Sequence, residues 1–258
     1  MKRILALLIA TCMCMFNLNV NTNTAEINVR YISKENSAQA LNYIVYAPAN
    51  ASDQTPIFLF LHGDGEASGS LNKVAKHYKF LRAMIDGSWQ PDFIFVMPIA
   101  RKKGNWEKEM SNVNTILNEV VKYFGGSKDN MYIGGASAGS DAVITYQQNG
   151  RYKGSIQMAG NVGDKFGKIP AETVMKRWSG KKLWYYRDNL RKDGGYGCDP
   201  YFLYDCAKLA PAYNVNFQIH ELNWNHNYGL VDRTFLPSNM TDTKGQPGFD
   251  AITNLIYN

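Results

Sequence analysis

The sequence predicts an α/β protein with a mostly parallel, doubly wound sheet flanked by helices. Two short apolar runs, at 56–61 and 93–97, have the composition of strands that are buried on both faces. Segments with apolar residues at helical spacing, such as 71–85 and 113–124, alternate with these runs. The alternation is typical of parallel sheets, because two parallel strands must be joined by a long crossover, usually a helix. We therefore expect one domain over residues 23–258.

The predicted strands differ in pattern along the chain. The first two alternate polar and apolar residues, which favours an antiparallel start to the sheet. The later runs are more continuously apolar, as expected for strands in the middle of a covered sheet. In chain order the predicted strands are 26–32, 41–46, 56–61, 93–97, 131–135, 155–158, 182–186 and 216–222.

The predicted helices lie between these strands. The segment 71–85 stops at Gly87 and the segment 113–124 stops at Gly125, and glycine commonly follows the last turn of a helix. The chain leaves only about twenty residues between Gly160 and Lys181, too few for a sizeable cap domain, so we expect an open site. In chain order the predicted helices are 71–85, 113–124, 138–148, 171–178, 200–213 and 249–257.

Residues 1–22 are interpreted as a signal peptide. Lys2 and Arg3 are followed by an apolar run that ends near Phe16, the order of charged and apolar regions found in such peptides. The run is too short for a comfortable transmembrane span, so we expect no stable membrane insertion. Removal of the peptide would leave a secreted or periplasmic protein.

Cys198 and Cys206 are the two cysteines that remain after residue 22. A pair of cysteines in an exported protein suggests a disulfide. A continuous helix would hold the two about 12 Å apart, too far for the bond. The disulfide is therefore expected only if the glycine-rich segment 194–197 folds Cys198 back toward Cys206.

The charge distribution argues against a nucleic-acid partner. The net charge is +6 and the isoelectric point is near 9.0, but the basic residues are scattered along the chain. A solvated basic surface is the simpler interpretation. No two histidines have the spacing of metal ligands, and Gly63-x-Gly65 lacks the third glycine of a dinucleotide fingerprint. We expect neither a metal nor another cofactor.

The motif Gly135-x-Ser137-x-Gly139 joins a predicted strand to a predicted helix. In that context it is typical of a nucleophile elbow, a strained turn that projects the serine hydroxyl over the edge of the sheet. The alternative is a turn of small residues without chemistry. Ser137 is the predicted nucleophile.

A serine hydroxyl becomes a good nucleophile only when a neighbouring base takes its proton. His226 follows the last predicted strand, which is the place of the base in the chain order serine, acid, histidine. The acid should follow the preceding strand. Asp188 is the preferred acid, Asp193 is the next candidate, and Asp199 lies in the same loop. The other histidines are interpreted structurally, as a loop-shaping residue, a boundary residue and a packing residue: His62, His77 and His220.

Two backbone N–H groups are expected to stabilise the oxyanion that forms during acyl transfer. Ala138 directly follows the nucleophile at the start of a helix, and Asp64 lies in the turn after the third predicted strand. The Asp64 carboxylate would oppose a developing negative charge, so we expect that side chain to face solvent. A glycine-rich turn without chemistry is the alternative interpretation.

The motifs together resemble the esterase branch of the α/β-hydrolases. The similarity is greatest to the secreted group that contains feruloyl and acetylxylan esterases, polyhydroxybutyrate depolymerases and peptidase-like proteins with an L-H-G-x-G-E motif. It covers about residues 41–160 and rests on Phe60-Leu-His-Gly-Asp-Gly-Glu66, Met97-Pro98, Gly104-Asn-Trp106 and Gly135-Ala-Ser-Ala-Gly139. The resemblance implies Ser137 as nucleophile, His226 as base, the Asp64 and Ala138 backbones as oxyanion donors, and Glu66 as a loop-stabilising residue.

The resemblance weakens further along the chain. The usual H-G-x-x-D segment of the family is replaced by Tyr186-Arg-Asp-Asn-Leu190, which leaves the identity of the acid open. The implied activity is hydrolysis of a small-molecule or polysaccharide-linked ester through an acyl-enzyme on Ser137. A serine peptidase of the same fold is one alternative. A hydrolase-like binding protein that has lost its acid is another alternative, which the irregular segment around Asp188 leaves open.

Overall fold

The structure is a computed structural model that describes residues 29–32, 41–104, 106–147, 150–160, 169–188, 200–222 and 227–258. The predicted signal peptide, His226, Asp193 and Cys198 lie outside the described residues.

One mixed sheet runs through the described part of the chain, with its eight strands in the spatial order β1-β2-β4-β3-β5-β6-β7-β8. The strands β1 and β2 pair antiparallel, as do β2 and β4, and all other neighbours pair parallel. The predicted fold class and the antiparallel start are thereby confirmed. The strands are β1 Val29–Ile32, β2 Tyr43–Tyr46, β3 Ile57–Leu61, β4 Ile94–Pro98, β5 Met131–Ala136, β6 Tyr152–Met158, β7 Lys182–Asp188 and β8 Asn216–Leu222.

Helices cover both faces of this sheet. The helices in the described residues are α1 Leu71–His77, α2 Lys79–Asp86, α3 Trp106–Phe124, α4 Ala138–Tyr146, α5 Ala171–Arg177, α6 Pro200–Leu209, α7 Tyr228–Phe235 and α8 Ala251–Tyr257, with a 3₁₀ turn at Ala210–Tyr213.

The predicted helix 71–85 is in fact two helices that meet at Tyr78. Tyr78 has an extended backbone, with φ −100° and ψ 127°. Ser70 caps the first helix through its side chain, and the Asp232 carboxylate accepts a hydrogen bond of 3.1 Å from the Phe80 N–H at the start of the second. The prediction of a single helix was wrong. The apolar residues keep their helical spacing through Tyr78, so the pattern does not reveal the break.

The helix predicted at 113–124 begins earlier, at Trp106. Its first two turns are rich in charged residues, so the apolar pattern does not reveal them. Glu109 is nevertheless buried there and forms a two-point ion pair with Arg101, with both N–O distances 2.9 Å. The pair satisfies a carboxylate that would otherwise be costly to bury.

Alternation along the central strands divides the core between the two faces of the sheet. Phe58 and Phe60 lie on one face, and Ile57, Leu59 and Leu61 on the other, all fully buried. The Phe235 ring of α7 makes edge contacts with Phe58 and Phe60, with ring centroids 5.6 and 5.2 Å apart. This packing fixes α7, and with it one wall of the candidate site, against the sheet.

Within the described ranges, no helix has both the length and the apolar character needed to cross a membrane.

Candidate active site

Ser137 occupies a strained turn between β5 and α4. Its φ is +52°, in the left-handed region that costs a residue with a side chain about 1–3 kcal/mol. The Ser137 N–H donates to the Met158 carbonyl at 2.9 Å, and the Ser137 carbonyl accepts from the Asp141 N–H at 3.2 Å. These two bonds hold the turn from the neighbouring strand and from the helix that follows, which is the geometry of a nucleophile elbow.

The glycines on either side of Ser137 permit a close approach of backbone segments. A Cβ atom on Gly139 would lie 2.0 Å from the Leu61 carbonyl oxygen, and one on Gly135 would lie 2.4 Å from the Gly139 carbonyl oxygen. No side chain fits at either position. The G-x-S-x-G spacing therefore follows from the packing of β3, β5 and α4 against one another.

His62 shapes the loop that follows β3. The ring is fully buried, its Nδ1 lies 2.6 Å from the Gly63 carbonyl oxygen, and its Nε2 lies 3.0 Å from the Ala100 nitrogen. Because the carbonyl can only accept and the Ala100 N–H can only donate, the proton sits on Nδ1. Burial lowers the pKa of His62 to about 4. Both ring nitrogens of a neutral imidazole are thus engaged, so His62 is not available as a general base.

The Asp64 carboxylate is bonded to the backbone of another segment. Its Oδ1 accepts a hydrogen bond of 2.6 Å from the Gly104 N–H. This hydrogen bond is exposed, so the side chain lies at the surface as expected, and it also fastens the turn to the segment between β4 and α3. The Trp106 indole strengthens the same attachment by donating to the His62 carbonyl at 3.0 Å.

A cavity of about 350 Å³ opens beside Ser137. Gly63, Asp64 and Gly65 line it, as do Leu230 and Val231 of α7. The position of a Cβ on Gly63 would be 3.3 Å from the Ser137 Cβ, so the turn and the serine are in direct contact. Ala138 is the first residue of α4, and Asp64 lines the cavity. The role of their backbone N–H groups as oxyanion donors stays a prediction.

Asp188 is the last residue of β7 and only 5% exposed. The register passes from Ala136 through Met158 to Tyr186, so Asp188 lies at the same edge of the sheet as Ser137. Two strand spacings, about 10 Å, separate their strands. Asp188 pairs with Leu222 of β8, four residues before His226. Since His226 and Asp193 lie outside the described residues, the assignment of base and acid stays a prediction.

Comparison with solved structures reveals similar architectures at low sequence identity. A thermostable esterase has a TM-score of 0.54 and 16% identity, covering 78% of this chain and 57% of its own. An S-formylglutathione hydrolase from Agrobacterium tumefaciens has a TM-score of 0.57 and 14% identity, covering 83% and 95%. A poly(3-hydroxybutyrate) depolymerase from Bordetella parapertussis has a TM-score of 0.52 and 11% identity, covering 80% and 86%.

The chain has the α/β-hydrolase fold. The resemblance expected from the sequence is confirmed at that level. No family model and no curated protein matches the sequence. The α/β-hydrolase fold supports many chemistries, so identities of 11 to 16% show shared architecture rather than a shared substrate.

His220 and His77 both pack against tyrosine rings in this α/β-hydrolase fold. His220 stacks on Tyr186 with ring centroids 4.5 Å apart, which agrees with its interpretation as a packing residue. His77 ends α1, and its ring lies 4.8 Å from that of Tyr228. Burial lowers the pKa of both imidazoles.

The structure adds two tyrosines to the site that the sequence did not indicate. Tyr78 and Tyr228 both line the cavity beside Ser137. The Tyr78 hydroxyl donates to Glu66 at 2.8 Å, and Glu66 is buried, with one oxygen 3.7 Å from Nδ1 of His62. Tyr78 was hidden inside an apparent continuous helix. Tyr228 lies two residues after His226, the predicted base. This closeness in sequence was the only indication that Tyr228 belongs to the site.

Cys206 is buried on α6. Cys198 lies outside the described residues, so the disulfide stays a prediction. The described residues contain no group of three or more His, Cys, Asp or Glu side chains that could hold a metal ion.

Proposed function

We propose that this protein is an exported serine hydrolase that cleaves carboxylic esters through an acyl-enzyme on Ser137. The observation that carries the proposal is the position of Ser137. It has a left-handed backbone at the carboxyl edge of the sheet, and it opens into a cavity beside the turn that bears Asp64. Backbone strain of this kind clusters at active sites, and in a nucleophile elbow it presents the serine hydroxyl to the substrate.

The mechanism follows from the roles of the residues around that hydroxyl. His226 accepts the Ser137 proton as the oxygen attacks the ester carbonyl. The backbone N–H groups of Asp64 and Ala138 stabilise the oxyanion of the tetrahedral intermediate. His226 then protonates the leaving alcohol, and water repeats the sequence on the acyl-enzyme to release the acid. The chain needs no cofactor for these steps.

Asp188 is the acid that orients His226 in this proposal. Its support is its burial at the end of β7 and its pairing with Leu222, the last residue of the strand that leads to His226. The chain order Ser137, Asp188, His226 is that of the fold. Asp193, five residues further along the chain, is the alternative acid.

An ester is favoured as substrate over a peptide. The cavity of about 350 Å³ suits a small acyl group, and the similar structures are named as an esterase, a hydrolase and a depolymerase. Both a small-molecule ester and an ester carried by a polysaccharide meet these conditions. The serine peptidase is the second candidate, because the same groups can cleave amides.

Labelling with a fluorophosphonate probe tests the proposal. The wild-type protein is expected to react covalently and to hydrolyse short-chain p-nitrophenyl esters, and the Ser137→Ala variant is expected to do neither. Ser179→Ala is the matched control, because the Ser179 hydroxyl is exposed and bonds the Tyr213 carbonyl at the far end of β7. A folded wild type that remains unlabelled would favour the binding protein instead. Labelling accompanied by cleavage of peptides and not of esters would favour the peptidase.

A further inference from the structure

Glu66 holds a carboxylate almost completely buried beside the cavity, 2% exposed. The Tyr78 hydroxyl donates to its Oε1 at 2.8 Å, and the Tyr228 hydroxyl makes a further hydrogen-bonding interaction with the carboxylate. Burial raises the pKa of Glu66, and these two hydroxyls act against the rise by stabilising the charged form. Groups from two other segments of the chain thus fix this side chain.

The turn before Glu66 is packed between Ser137 and Tyr228. A Cβ on Gly63 would lie 3.3 Å from the Ser137 Cβ and 3.8 Å from Oε2 of Glu66. A Cβ on Gly65 would lie 2.8 Å from the Tyr228 hydroxyl oxygen. The Tyr228 hydroxyl thus lies against the turn and also interacts with Glu66.

Tyr228 is well placed to connect two parts of the site. It is the first residue of α7, which follows the predicted base His226 after one intervening residue, Asn227. Its ring packs on Tyr78 with centroids 5.3 Å apart, and Leu230 and Val231 of the same helix line the cavity. The tyrosine therefore reaches from the segment after β8 to the turn after β3.

We propose that Tyr228 is a positioning residue that, together with Glu66, holds the Gly63–Gly65 turn so that the Asp64 N–H points at the oxyanion. This inference rests on the proposed function. An oxyanion donor is effective only if it is oriented before the reaction, because the cost of reorienting it would otherwise be added to the barrier. Small displacements of such groups change rates strongly.

The variant Tyr228→Phe removes the hydroxyl and keeps the ring that contacts Tyr78. We expect kcat for p-nitrophenyl acetate to fall about tenfold, with KM within about twofold, since a direct oxyanion donor contributes a hundredfold or more. Affinity for a boronic acid that forms a tetrahedral adduct with Ser137 should weaken by the same factor as kcat. Glu66→Gln should produce a similar loss. The double variant should have a kcat no lower than that of the less active single variant, because both substitutions disrupt the same interaction between Tyr228 and Glu66.

Tyr257→Phe is the matched control. Its hydroxyl also donates a hydrogen bond, to the Asp92 carbonyl at 3.0 Å, but it lies on α8 away from the cavity. Thermal unfolding of every variant separates a loss of stability from a loss of rate. If Tyr228→Phe and Glu66→Gln match Tyr257→Phe in kcat and in boronate affinity, the positioning role is wrong while the hydrolase proposal stands. A wild type that neither labels nor hydrolyses esters overturns both.

Discussion

Gly65 and Tyr228 are in contact across the mouth of the candidate site. A Cβ atom on Gly65 would lie 2.8 Å from the Tyr228 hydroxyl oxygen, closer than carbon and oxygen approach without repulsion. Gly65 is needed here for space, since its backbone does not have the positive φ that glycine alone readily adopts. One interatomic contact thus ties the turn after β3 to the helix after β8.

This contact predicts a rescue between two substitutions. Gly65→Ala should lower the free energy of unfolding by about 1 kcal/mol, because the methyl group would displace the Tyr228 hydroxyl from its place beside Glu66. The same change in a Tyr228→Phe background should cost clearly less, since the atom that the methyl group meets is gone. Urea unfolding of the four proteins measures the coupling. Equal costs in both backgrounds would show that Gly65 is constrained by something other than Tyr228.

The sequence predicts the strands of this fold better than its helices. The strands from β3 to β5 are continuous apolar runs between turn residues, and burial on both faces produces that pattern whatever surrounds it. The elbow at Ser137 is equally visible, because the glycines at 135 and 139 are required by backbone contacts. Local pattern and tertiary packing demand the same residues there.

The helix α7 shows why other parts could not be predicted. Gly229 lies in its first turn and is a poor helix former, and the helix begins because the Asn227 side chain accepts the Gly229 N–H at 2.9 Å. Its packing through Phe235 onto the sheet provides the remaining stabilisation, and this contact joins residues far apart in sequence. The role of Tyr228 depends on that placement and on the break at Tyr78, so periodicity cannot reveal it.

His62 should make the protein less stable in acid. Its pKa is about 4 in the folded protein and 6.5 when unperturbed, so the unfolded chain binds more protons between these values. Stability is therefore lost as the pH falls from 6.5 to 4. The loss is about 3 kcal/mol, because each pKa unit of difference corresponds to roughly 1.4 kcal/mol. When urea unfolding is measured at several pH values, the free energy of unfolding should change less with pH for His62→Asn than for wild type. An unchanged slope would mean that His62 is protonated without cost.

Asp232 should have the opposite effect on stability, making the protein more stable as the pH falls from about 6 to 3.8. Burial raises the pKa of this carboxyl to about 6, although the Phe80 and Lys79 N–H groups partly oppose the shift. The folded protein then binds more protons than the unfolded chain between pH 3.8 and 6, so stability falls as the pH rises through that interval. Asp232→Asn keeps an acceptor for Phe80 and has no charge to bury. The free energy of unfolding of Asp232→Asn, relative to that of wild type, should rise by up to about 3 kcal/mol from pH 4 to pH 7. If this difference between the two proteins stayed constant with pH, the raised pKa of Asp232 would be wrong.

The choice between Asp188 and Asp193 can be decided by matched substitutions. If Asp188 orients His226, Asp188→Asn should lower kcat by about a thousandfold or more, because the amide holds the imidazole in the wrong tautomer. Asp193→Asn should then stay within about twofold of wild type. Ester hydrolysis together with near-ultraviolet circular dichroism, to confirm folding, provides the measurement. The reverse pattern would assign the acid to Asp193. That result would also explain why the segment after Tyr186 departs from the H-G-x-x-D pattern, since the carboxylate would reach His226 from a different backbone position.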